Sequence, residues 1–162
     1  MAHYCRILPV LVLLAALAGC AGQPVQNQVV GVPDGDTIEV YWNGRMERVR
    51  LHGIDCPELG QSYGRRAKNF TKKLAAGEIV ILRTRGRDAY GRLICVVELP
   101  DGRNLNRELV RQGYAWWYKR YSNDKELRIL EADARRARRG LWADPQPIPP
   151  WEFRKSHPRK SS

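Results

Sequence analysis

Thr37-Ile38-Glu39-Val40-Tyr41-Trp42-Asn43-Gly44-Arg45-Met46-Glu47-Arg48-Val49-Arg50-Leu51 is the stretch from which the fold is read. Thr37 to Tyr41 has the period of two that marks a half-buried strand. Asn43-Gly44 then supplies the two residues of a tight hairpin, because both can take positive φ at little cost. On the return strand, Met46 to Ile54, pleating sends Val49 and Leu51 to one face and Arg48 and Arg50 to the other. Upstream, the period of two starts at Val29, and Asp34-Gly35 is a turn between two strands.

Downstream, helical and strand periods alternate. Tyr63, Ala67, Phe70 and Leu74 share one helical face over about Ser62 to Ala76, and Gly77 stops that helix. Strands follow at Ile79 to Arg83 and Leu93 to Leu99, the second ending in the turn Pro100-Asp101-Gly102. A short helix spans Leu105 to Gln112. A third begins at an Asn123 cap, carries Leu127, Leu130, Ala134, Ala137 and Leu141 as its apolar stripe, and ends near Gly140. Five strands with three inserted helices predict an α+β domain built on a small, partly open five-stranded OB-fold β-barrel.

At 162 residues, with 43% apolar and 28% charged residues, the chain suits one globular domain and excludes fibres and repeat arrays. The net charge of +11 favours a polyanionic partner, with solubility as the plain alternative. Residues 1–19 read as a signal peptide: Ile7 to Ala18 is almost wholly apolar and falls short of the roughly 20 residues a spanning helix needs. Leu17-Ala18-Gly19-Cys20 resembles a bacterial lipobox, which makes Cys20 the lipidated first residue of a lipoprotein held in the cell envelope by a membrane anchor. A secreted soluble protein is the alternative. Residues 20–28 then form a tether, residues 29–143 the domain, and residues 144–162 a Pro-rich, basic, exposed tail. Cys56 and Cys95 remain in the folded part, bridged or free, and without a CxxC or Cys/His cluster no zinc site is expected.

Three segments concentrate the chemistry. They are Asp34-Gly35-Asp36-Thr37, the run Arg50-Leu51-His52-Gly53-Ile54-Asp55-Cys56-Pro57-Glu58, and Asp88-Ala89-Tyr90-Gly91-Arg92. In this order they resemble the thermonuclease, or staphylococcal nuclease-like (SNase), family, whose pattern runs DGDT, R-x-x-G-I-D-x-P-E and D-x-Y-G-R. The resemblance continues through Asp101 to Asn106, Leu109 to Ala115 and Arg138 to Trp142, and so covers about Val29 to Ala143.

That resemblance implies a calcium-dependent hydrolase of DNA and RNA leaving 3′-phosphate products. It makes Asp36 and Asp55 the carboxylate ligands of one Ca2+ ion, with the backbone carbonyl of Cys56 beside them. Oxygen donors suit such a hard cation, and Mg2+ fits the same donors. Glu58 is then the general base, and Arg50 and Arg92 grip phosphate oxygens with paired donors. Tyr90 and Tyr118 fall near the nucleotide, and Asp34 stands behind the ligands. Ala89 replaces a frequent basic residue, and the link Leu59 to Gly64 is short, so substrate preference and end-versus-internal cleavage stay open. The chain is expected to act as a monomer on DNA and RNA, and the rival class is a nucleic-acid-binding OB-fold module without catalysis.

Overall fold

The computed structural model describes residues 26–158. Cys20 and the segment read as a signal peptide lie outside them. Strands β1 (Gln28–Asp34), β2 (Thr37–Trp42) and β3 (Arg45–Leu51) make an antiparallel meander, with Ile38 opposite Val49. Asn43 (φ 48°) and Gly44 (φ 79°) form the hairpin that their sequence predicts. Ile38, Val40, Val49 and Leu51 point inward and are fully buried, while Arg48 faces solvent.

Strands β5 (Ile81–Arg87) and β6 (Leu93–Glu98) complete a mixed sheet in the order β1-β2-β3-β6-β5. The β3–β6 pairing is parallel and sets Val49 beside Leu93 and Arg50 beside Ile94. A separate two-stranded ladder joins β4 (Ile54–Asp55) to β7 (Trp116–Trp117).

The architecture differs from a closed barrel and from the expected helix count. The five strands do not close into a complete barrel: the sheet curls until β1 meets the lead-in to β5, where Val29 N–H donates to the Glu78 carbonyl at 2.9 Å and one bridge joins Gln28 to Ile79. The described residues also carry four α-helices rather than three: α1 (Gly64–Ala75), α2 (Leu105–Arg111), α3 (Lys125–Arg136) and α4 (Pro150–Ser156), with a 3-10 turn at Gly140–Ala143.

Helix α4 falls in the segment expected to be an exposed tail. Pro150 at its first position has the fixed φ a helix start needs, and Trp151 packs edge-on against Trp116, ring centroids 5.6 Å apart. At the other end, Asn27 N–H donates to the Tyr41 carbonyl at 2.7 Å, so the last residues read as tether belong to the fold. Helix α3 is capped by Asp124 rather than Asn123; its Oδ1 accepts from Glu126 N–H at 2.8 Å. Arg135 on α3 lies 4.1 Å over the Trp142 ring, so this part of the arginine-rich face packs instead of standing free.

One buried amide ties the layers together. Asn106, on α2, accepts from Val97 N–H (3.0 Å) and donates to the carbonyls of His52 (2.9 Å) and Cys95 (3.2 Å). This fastens β6 to the turn after β3, where the acidic residues begin. Asn106→Leu takes this partner from Val97 N–H and the His52 carbonyl, while the Cys95 carbonyl keeps His52 N–H at 2.8 Å, and is expected to cost about 3 kcal/mol of stability. Urea unfolding followed by tryptophan fluorescence measures it, and a change below about 1 kcal/mol would remove Asn106 from this role.

Candidate active site

The turn between β1 and β2 is clamped from two sides. A Cβ built on Gly35 would stand 2.9 Å from both Ala67 on α1 and Cys56, so only glycine fits. Thr71 Oγ1, also on α1, donates to the Gly35 carbonyl at 2.5 Å. Asp34 Oδ1 accepts from Asp36 N–H at 3.1 Å, the side-chain turn that an Asp-Gly sequence favours. Asp36 therefore leaves the turn in a fixed, buried position.

Arg50, at the end of the central strand β3, joins the two loops. Its Nη1 lies 2.9 Å from Asp36 Oδ2 and its Nη2 lies 2.8 Å from Asp55 Oδ1 on β4. Cys56 N–H donates to the same Asp36 oxygen at 2.6 Å. Asp36 and Asp55, twenty residues apart in the chain, thus share one guanidinium. Burial pushes Asp36 up to about 7, against the pull of Arg50, with Asp34 and Asp55 adding to the rise. Burial opposes the charge on Arg50, yet Asp36 and Asp55 together raise it above its ordinary value.

Glu58 joins this pair through a residue absent from the sequence expectations. Arg154 on α4 places Nη2 2.7 Å from Asp55 Oδ2 and Nη1 2.9 Å from Glu58 Oε1. The basic, Pro-rich composition of the segment masked Arg154, although Pro149-Pro150-Trp151 carries a helix-start signal.

Arg92 stands apart from this cluster. Its Nε lies 2.7 Å from Asp88 Oδ2, and its guanidinium carbon is 5.5 Å from the centre of the Tyr90 ring. Partial burial would raise Asp88, but the bonds from Arg92 hold its carboxyl below the usual range. Arg92 immediately precedes Leu93, which pairs with Val49, so it leads into β6 beside the strand that carries Arg50. Tyr90 is 86% exposed. Tyr118 has one ring face stacked on Trp151, with centroids 5.2 Å apart and planes 2° from parallel, and Tyr121 meets it edge-on.

The donor chemistry suits a hard cation. Asp36 and Asp55 bring two carboxylates to one place, with those of Asp34 and Glu58 nearby, and oxygen donors of this kind are what such a cation takes. Among the described residues, no group of three or more His, Cys, Asp or Glu side chains is placed to hold a metal. Among the described residues, no helix is long and apolar enough to cross a membrane.

Paired buried carboxylates and arginines, gathered at the ends of strands in a basic α+β domain, define a class of acid–arginine centre. Residues 48–144 match the family model described as staphylococcal nuclease homologue. The chain is 45% identical over 130 residues to an uncharacterized endonuclease of Escherichia coli, covering 80% of this chain and 85% of that protein. It is 38% identical over 141 residues to the micrococcal nuclease of Shigella flexneri, covering 81% of each, and 36% identical over 146 residues to an uncharacterized endonuclease of Haemophilus influenzae, covering 90% of this chain and 82% of that one. The chain belongs to the staphylococcal nuclease homologue family.

Cys56 and Cys95 are both free and buried. Burial pushes the Cys95 thiol up to about 11 and raises Cys56 well above its ordinary value. A raised pKa means that the reactive thiolate appears only as the pH climbs, so both thiols are nearly all protonated at pH 8. Iodoacetamide at pH 8 is expected to leave both unmodified in the native protein and to alkylate both after unfolding, as read by peptide mass spectrometry. A disulfide-linked peptide would overturn this.

Proposed function

We propose that this chain is a calcium-dependent nuclease that hydrolyses phosphodiester bonds of DNA and RNA and leaves 3′-phosphate ends. The observation that carries the reading is the single guanidinium of Arg50 held between Asp36 and Asp55. The names of the relatives, endonuclease and micrococcal nuclease, support the reaction class, and the net charge of +11 suits a polyanionic substrate.

In this reading Asp36, Asp55 and the Cys56 carbonyl hold the calcium ion, and Asp34 fixes the turn behind them. When bound, the ion supplies positive charge against the phosphate. Glu58 takes the proton of the attacking water. Arg50 and Arg92 hold phosphate oxygens through N–H donors, and the hold strengthens as negative charge grows on those oxygens while the water oxygen bonds to phosphorus and the P–O5′ bond breaks, the 5′ oxygen leaving as a hydroxyl with a proton from solvent. Exposed Tyr90 and the edge of the Tyr118–Trp151 stack offer aromatic surface to the nucleotide. We further propose that the protein is exported and lipid-anchored through Cys20, because residues 7–20 carry the export and acylation pattern. Palmitate labelling that survives Cys20→Ala would remove this.

Incubation of the full chain with plasmid, single-stranded DNA or RNA tests the activity. Cleavage is expected with calcium and is expected to stop with a chelator. Arg50→Lys should lose about 3 kcal/mol of transition-state stabilisation, a rate loss on the order of 100-fold, and Glu58→Gln should fall at least as far. The products should resist polymerase extension until treated with a phosphatase. Binding without cleavage under every metal would favour the binding-module reading instead. The logarithm of the binding constant should also fall linearly with the logarithm of salt concentration, and a flat response would remove the phosphate contacts.

A further inference from the structure

Helix α4 begins at Pro150, beyond residue 144, where the match to the family model ends. It nevertheless reaches the centre of the site. Trp151 is its anchor, lying flat on Tyr118 and edge-on to Trp116. Gln61, from the loop that follows Glu58, donates through Nε2 to the Ile148 carbonyl at 3.1 Å and ties that loop to the segment leading into α4. One turn after Trp151, Arg154 spans Asp55 and Glu58.

We propose that Arg154 is a positioning residue for hydrolysis: its rigid guanidinium sets the direction of the Glu58 carboxylate and its spacing from Asp55. This rests on the nuclease reading above. Arg154 bonds both acids, with Nη2 2.7 Å from Asp55 Oδ2 and Nη1 2.9 Å from Glu58 Oε1, and what singles out Glu58 is that Asp55 already has the Arg50 guanidinium as its counter-charge. Glu58 sits in a loop, with its side chain 27% exposed. A planar fork with fixed N–H vectors restricts the direction of such a partly exposed carboxylate. The competing role is a self-blocking cover, in which the arginine merely occupies the carboxylates.

Steady-state kinetics on a defined single-stranded oligonucleotide with saturating calcium separates these roles. Arg154→Ala is expected to lower kcat by 10-fold or more, with KM changed by less than about threefold, and Arg154→Lys to recover part of the loss. Calorimetric titration with calcium alone should show Arg154→Ala binding the ion at least as tightly as the parent chain. Trp151→Ala, which keeps the guanidinium but removes its anchor, should lower kcat in the same way. The proposal is overturned by a kcat that is unchanged or raised in Arg154→Ala, by no recovery with lysine, or by calcium affinity lost in step with kcat. A parent chain that cleaves nothing overturns the nuclease reading together with this one, whereas full activity in both variants overturns this one alone.

Discussion

Two buried carboxylates brought together by different loops would repel one another and pull their loops apart. The interaction that prevents this is the fork of Arg50, whose two terminal nitrogens each take one acid. Burial of such charges is tolerated only when each has a partner of good geometry, and here the backbone of Cys56 supplies a further donor to Asp36. The rest of the local structure follows from that demand. Gly35 lets the first loop approach closely, α1 fastens it, and β7 pairs with the short strand that carries Asp55.

Much of this was legible in the chain. Alternation around Asn43-Gly44 fixed the first hairpin, and Gly77 marked the end of α1, whereas α3 stops at Arg136, before Gly140, which opens the 3-10 turn that holds Leu141. Asp36, Arg50 and Asp55 were singled out from their motifs and do converge. Other features were hidden for identifiable physical reasons. The β4–β7 ladder is only two residues on each side, too short for any period to register. The cap of α3 moved by one position because Asn123 and Asp124 are both competent acceptors. Helix α4 was concealed by prolines at 145, 147, 149 and 150, which read as an extended linker although the last of them is also a good first residue of a helix.

The basic composition has several distinct uses. Exposed pairs such as Arg83 with Glu98 and Arg103 with Asp101 contribute little stability individually. Strand β5 is the edge of the sheet and is exposed almost throughout, with Arg83, Arg85 and Arg87 along it. Charge of one sign on such an edge discourages pairing with another chain. Only a few arginines, set at strand ends or on α4, reach the acidic cluster.

The parts of the centre come from very different points along the chain. Asp36, Arg50, Asp55 and Glu58 lie within one stretch, whereas Arg92 waits for β6 and Arg154 for the final helix. The loop that carries Glu58 is therefore held by a side chain 96 residues further along, so a cut anywhere between β6 and α4 that let the helix undock would leave the acids gathered and that guanidinium gone.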